Sequence, residues 1–437
     1  MRRRLLSTLL CSVLLISGML SGCGSQEAYS DNSASKHLDK KDLEIDIFDP
    51  ATTITITGWL EDSYTQNLMA YLAEKYPDYT FEYKYIAKKS YESIIDSQLS
   101  SRLATDIVMV NPPMAKRHAQ NGYIADLNDY CEGFNDEAKE SFSYEGRMYA
   151  VPNTSEYQCT FYNKEIYKKV GRRLPNNFQE YLDYCDFLMD EKGIRSVSAG
   201  LKDSDAVADS ALAFLASGFF TTKQGATFGE RLEEGTTTFK SETMAQLTLW
   251  KELVNHGIYT KDMCITDKEA AIEEFASGKS FMYVGSVEDY NRIKEKNPDI
   301  KIGTTGFAGA VHGMPIIIGG CNCGFAVNNF CMNRDMAIEI VAELSKEEGQ
   351  RVLWSDRIGS QTYLLGVNFS NPEDFDGIKA MVKAGRVFSP WNDWGKYGSQ
   401  IYVIFGEELQ KVVTGERTLN VALQVIDNKI SQIRKDN

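Results

Sequence analysis

Apolar positions alternate with a period of two from Thr52 to Thr57 and stop at Gly58-Trp59, which predicts a strand. Leu68, Met69, Tyr71, Leu72 and Tyr76 then recur at helical spacing before Pro77. The alternation returns at Phe81, Tyr83 and Tyr85. A helical face follows at Ile94, Ile95, Leu99 and Leu103, and the run Asp106–Val110 ends in Asn111-Pro112-Pro113. Strands alternating with helices at this length predict βαβ units and a parallel sheet, whose ligands sit beyond the carboxyl ends of the strands. Trp59 to Asp62 and Asn111 to Pro113 fall at those ends. Between Phe161 and Phe275 the pattern becomes mostly helical, with stretches at 178–189, 208–219, 241–254 and 268–275, so a second lobe is expected there. Strands are predicted at 280–284, 315–318 and 325–327. Helices follow, the last over 421–433 with an apolar stripe of Val425, Ile426, Ile430 and Ile433.

The first residues carry a different signal. Arg2-Arg3-Arg4 precedes an apolar run from Leu5 to Met19, too short for a membrane span, and then Leu20-Ser21-Gly22-Cys23. This is the pattern of a lipoprotein signal peptide over residues 1–22, with Cys23 as the lipidated first residue of the mature chain. Residues 23–49 are polar, with almost no apolar side chain before Leu43, and read as a flexible stalk. The protein is expected outside the cytoplasm, lipid-anchored to a bacterial cell membrane.

The 437 residues carry a formal charge of −14, and loss of Arg2, Arg3 and Arg4 takes it to −17. Phosphate backbones are repelled by such a surface, which argues against a nucleic-acid partner. Composition also sets 23 Tyr, 21 Phe and 5 Trp against 4 His, favouring binding over acid–base or metal chemistry. Seven cysteines remain beyond Cys11 and Cys23, an odd number that cannot pair completely. Cys321-Asn322-Cys323 lacks the spacing of a zinc knuckle. No metal and no cofactor is expected.

Several segments together carry a family resemblance: the lipobox, Ala104–Val110 followed by Ala119–Leu127, Gly146–Pro152 followed by Phe161–Glu165, Phe275–Lys279 with Met282 and Gly285, and Gly415–Leu423. The sequence resembles the extracellular solute-binding proteins of ABC importers, in the group that includes maltose- and other sugar-binding lipoproteins. The resemblance implies a two-lobed periplasmic-binding-protein-like α/β fold. Each lobe would be a mostly parallel sheet flanked by helices, with hinge strands joining the lobes and closure by hinge bending. The first lobe is expected over 50–155 and 322–366, the second over 156–320 and 370–437. Hinges fall near Asn153–Cys159, Gly319–Cys323 and Gly366–Asn371.

Sugar rings present apolar faces and hydroxyl edges, so their sites pair flat aromatics with carboxylates and amides. Trp59 with Glu61 and Asp62 supplies such a set; the competing reading is an indole plugging the sheet edge beside two solvated acids. Asn111 matches a ligand loop of the family or is a turn residue before proline. Glu156 and Tyr157 stand where the family crosses its hinge. Gly285-Ser286 matches a family loop that usually continues with Trp, but Val287 follows here. Trp391, Asp393 and Trp394 are expected to replace the missing ring, with Tyr397 and Tyr402 as weaker candidates.

No Gly-x-Ser-x-Gly, phosphate-cradling loop, His-Glu-x-x-His or singled-out carboxylate pair supports an enzyme. The sequence therefore reads as a monomeric receptor that captures a carbohydrate, an oligosaccharide, and delivers it to permease transmembrane subunits, meeting the membrane only through its lipid. Alternatives are a polyamine or other cationic solute on the same scaffold, an extracellular carbohydrate-active enzyme, or an adhesion or signalling lipoprotein.

Overall fold

The computed structural model describes residues 51–175, 177–310 and 315–436. The segments read as signal peptide (1–22) and stalk (23–49), Cys23 among them, lie outside the described residues. The strands, in chain order, are β1 (Thr53–Gly58), β2 (Thr80–Tyr85), β3 (Ile107–Val110), β4 (Ser143–Tyr144), β5 (Arg147–Met148), β6 (Val151–Pro152), β7 (Glu156–Asn163), β8 (Arg195–Ala199), β9 (Ser280–Ser286), β10 (Ile302–Thr305), β11 (Ile317–Gly320), β12 (Gly324–Val327) and β13 (Val387–Phe388).

One sheet runs β2-β1-β3-β12-β6. Its first three strands are parallel, joined by the helices Gln66–Lys75 and Lys88–Ser100, as the alternating pattern requires. All six residues of β1 are buried, threonines included. Burying Thr55 is tolerated because its N–H and hydroxyl both donate to the Asp106 carboxylate, at 2.8 and 2.7 Å. Ile54, Ile56, Ile107–Val110, Leu68, Leu72, Ile95, Leu99 and Phe325–Val327 fill the core of this first lobe.

The second sheet runs β13-β11-β7-β9-β8, with β10 also paired to β7. Here the expectation of a mostly parallel sheet is corrected. β7 lies antiparallel to β9, β10 and β11, leaving only β8–β9 and β11–β13 parallel. The chain enters this lobe directly through β7 with no intervening helix, so no βαβ crossover dictates its direction. One face of the sheet carries a core built with the helices Phe178–Lys192, Ser204–Leu215, Phe239–Asn255, Gly398–Val413 and Leu419–Asp436. The other face packs Ile272, Phe275, Ile293, Phe375 and Ile378. The observed strand at 317–320 sits two residues beyond the predicted one, because Gly319 and Gly320, at φ of +137° and +150° that glycine adopts without strain, continue the pairing with Tyr157 and Glu156.

Cys131, Cys159, Cys185, Cys264, Cys321, Cys323 and Cys331 are all free, and five of them are buried. Burial pushes the Cys131 and Cys185 thiols up to about 12, which makes them inert apolar fillers. No helix among the described residues is long and apolar enough to cross a membrane.

Candidate functional site between the lobes

Trp59 stands just past the carboxyl end of β1. Gly58 before it has no room for a side chain: a Cβ there would lie 2.3 Å from the Tyr83 hydroxyl, which instead passes over the glycine and donates to the Leu60 carbonyl at 2.8 Å. The turn is thereby fixed. The Trp59 ring meets Tyr91 edge-on at 5.0 Å, and its indole N–H donates to Glu156 Oε1 at 3.3 Å. The Tyr91 hydroxyl lies 2.9 and 2.8 Å from the carbonyls of Thr57 and Met109, tying helix Lys88–Ser100 to the ends of β1 and β3. Glu156 opens β7, at the point where the chain passes from the first sheet to the second.

Facing these groups is a wall from the second lobe. Asp203 caps helix Ser204–Leu215, and Asp205 and Asp209 follow on it. Tyr402, from helix Gly398–Val413, donates to Asp209 Oδ1 at 2.8 Å, and its ring lies 4.8 Å from that of Trp391. Lys88 reaches across from the first lobe to within 3.8 Å of Asp205 and 5.9 Å of the Tyr402 ring. Two adjoining cavities of about 530 and 950 Å³ lie between the walls and share Trp59, Lys88, Lys89, Glu156 and Asp205. Desolvation pushes the Asp209 carboxyl up to about 8 and that of Asp205 up to about 6, with the Lys88 charge opposing both.

The lobes touch around this space. Asn111 donates to Ser399 Oγ at 2.9 Å while its carbonyl oxygen accepts from Met114 N and caps helix Pro112–Gln120, as the turn reading expects. Lys89 pairs with Glu407 at 2.6 Å. Arg292 pairs with Glu61 and bonds Ser63 at 2.8 Å. Arg357 is buried, bonded to Glu288 through Nε at 2.6 Å and to the Thr154 carbonyl at 3.0 Å.

Of the residues singled out in the sequence, Trp59, Glu61, Asn111, Glu156, Gly285, Ser286, Trp391 and Tyr402 line these cavities. Five do not. Tyr397 lines a separate groove with Glu233 and Arg434. Asp62 is exposed at the start of a short 3₁₀ turn. Tyr157 points away because neighbours on a strand face opposite sides, and it lines a separate groove that also contains Asp393. Trp394 is corrected from a cleft residue to a core residue: it is 1% exposed, with its ring 5.1 Å from Phe239 and 6.2 Å from Phe405. Lys88, Lys89, Tyr91, Asp205 and Asp209 were not foreseen. Their only sequence signal is local, an Asp-Ser-Asp helix start and a lysine pair, and neither indicates a cleft. Among the described residues no group of three or more His, Cys, Asp or Glu side chains is placed to hold a metal ion.

Two α/β lobes, crossing strands and a cleft between them define a binding-protein architecture. A match to the bacterial extracellular solute-binding proteins spans residues 67–367, and the chain belongs to that family. Solved structures share the fold at low sequence identity. The solute-binding protein RafE in complex with raffinose has a TM-score of 0.73 at 18% identity, over 86% of this chain and 99% of that one. A sugar transporter protein from Bacillus licheniformis in complex with stachyose also scores 0.73 at 18%, over 87% and 99%. Maltose-bound MalE3 of T. maritima scores 0.68 at 16%, over 87% and 99%. No curated protein sequence matches the chain.

Proposed function

We propose that this protein is a lipid-anchored receptor that captures a carbohydrate, an oligosaccharide, in the interlobe cleft and delivers it unchanged to the permease subunits of an ABC importer. The observation that carries the reading is the pairing of rings from opposite lobes, Trp59 on one and Trp391 with Tyr402 on the other, around cavities that also present Glu156 and Asn111. Flat apolar rings suit sugar faces, and carboxylates and amides suit hydroxyl edges. The raffinose, stachyose and maltose held by proteins of the same fold support the same class. The acidic wall of Asp203 and Asp205 beside the Tyr402 ring favours a second reading, a cationic solute, through charge and cation–π contact.

A thermal-shift screen of neutral oligosaccharides and polyamines tests the reading, since a ligand that binds only the folded state raises Tm. A rise with an oligosaccharide that is then recovered intact by chromatography supports it; turnover of the glycan, or a rise with polyamines alone, overturns it. The anchor is tested separately. Cys23→Ala should abolish acyl labelling and membrane retention, and a variant that still carries lipid would refute the lipobox.

A further inference from the structure

We propose that Lys88 is the specificity-determining residue of the cleft, a built-in cation that reserves the site for uncharged polyhydroxylated ligands. This rests on reading the cleft as the ligand site.

The first observation is a broken local rule. Helix Lys88–Ser100 opens on two lysines, with Ala87 at its N-cap, no side-chain cap and no acid in its first turn. The amino end of a helix carries partial positive charge, so cations there are unfavourable. Glu92, one turn further on, is engaged by Arg117 at 2.9 Å. The compensation comes from the other lobe, where Lys89 meets Glu407 and Lys88 meets Asp205.

The second observation is where the Lys88 ammonium stands. Its side chain is 47% exposed, and it lines both cavities. It lies between Asp205 and the face of Tyr402, with Asp203, Asp209 and Glu156 also contributing to its field. That is the seat a carboxylate-and-ring pocket would give a ligand's own ammonium group. A soluble cation must displace Lys88, forfeit its contacts and tolerate a tethered like charge nearby. A neutral polyol meets no such opposition. The ammonium donates, the Asp205 carboxylate accepts, and adjacent hydroxyls bridge the two.

The experiment compares spermidine binding by calorimetry for the mature wild-type chain, Lys88→Met, Lys88→Arg and the double variant Lys88→Met/Asp205→Asn, each checked for a folded melting transition. Lys88→Gln replaces Lys88→Met if the latter does not fold. The expected result is that spermidine binds Lys88→Met at least tenfold more tightly than wild type, that Lys88→Arg keeps the exclusion, and that the double variant loses most of the gain. Equal spermidine affinity in wild type and the neutral variant, or no binding by either, overturns the proposal. The outcome is independent of the oligosaccharide screen: failure of that screen removes the carbohydrate reading, whereas the spermidine contrast alone decides the part played by Lys88.

Discussion

The hydroxyl of Tyr64, on the first lobe, donates at 2.8 Å to Asp289, which is fully buried on the second. Asp289 also accepts from Tyr283 at 2.7 Å and from the Ser286 amide at 2.9 Å and faces the Lys268 ammonium at 3.7 Å, so opening the cleft removes one of three hydrogen-bond donors and leaves the carboxylate supported. A hydrogen bond to a charged group contributes about 1.5–3 kcal/mol, which corresponds to about a tenfold to a hundredfold change in equilibrium. Tyr64→Phe should therefore shift the population toward open forms, read as a larger radius of gyration by X-ray scattering without a matching loss of Tm. An unchanged radius would remove this contact from the closure mechanism.

Trp59 and Trp394 should separate by ligand affinity rather than by burial, since Trp59, at 8% exposed, also packs in the first-lobe core and its truncation will cost some Tm. Truncating a core Trp costs about 3–5 kcal/mol, so Trp394→Ala is expected to lower Tm strongly and leave the ligand affinity of the folded fraction intact. Trp59→Ala should instead weaken ligand binding by about tenfold to a hundredfold, the worth of stacking and burying one ring. Both quantities are measured on both variants, and the reverse assignment would show that the roles of the two rings have been exchanged.

Asp209 predicts a pH dependence with a definite sign. Its carboxyl is raised by desolvation to about 8, whereas an unfolded aspartate titrates near 3.9. Between those values the folded chain holds a proton that the unfolded chain has released, so stability falls as pH rises through the window. Tm should decline from about pH 4 to about pH 8, and Asp209→Asn should flatten part of that decline. Parallel curves for the two proteins would contradict the assignment.

Gly319 and Gly366 form a contrasting pair. A Cβ at Gly319 would lie 1.8 Å from the Glu156 carbonyl oxygen, in the ladder that joins β11 to β7. Gly366 has φ of +76° and open space around it. Gly319→Ala should disrupt that crossing and lose ligand binding or folding, while Gly366→Ala should cost only the left-handed backbone strain of about 1–2 kcal/mol. Denaturant titration of both distinguishes the cases, and equal midpoints would contradict the tight packing of Gly319 in the β11–β7 ladder.

How much of this was legible follows from what each signal encodes. The first βαβ units were readable because periodicity reports which face of an element is apolar, and the helix expected over 241–254 was placed within two residues of the observed Phe239–Asn255. β7 was not read as a strand over its length. Glu156–Asn163 does alternate over its first six residues, Tyr157, Cys159 and Phe161 against Glu156, Gln158 and Thr160, so the strand signal was present and was passed over, while the burial of Thr160 and Asn163 in mid-sheet has no such signal. The indole at Trp59 was recognisable from its place after a strand. Lys88 was not, because its meaning depends on Asp205 and Tyr402, which lie more than a hundred residues away in the chain and are brought near only by the fold. Trp394 was misread for the same reason: proximity to Trp391 in sequence says nothing about Phe239 and Phe405.

The position of β12 limits how the molecule can be taken apart. It sits between β3 and β6 in the first sheet, yet it follows every strand of the second sheet except β13. A single cut therefore yields two incomplete sheets and never two lobes. A fragment ending at Gly320 would leave β3 and β6 without the strand that pairs with both, exposing bare sheet edges that invite aggregation. Expressing one lobe alone requires a rewired chain in which the β12 segment is spliced directly after β6, and exchanging lobes between relatives requires junctions at every crossing.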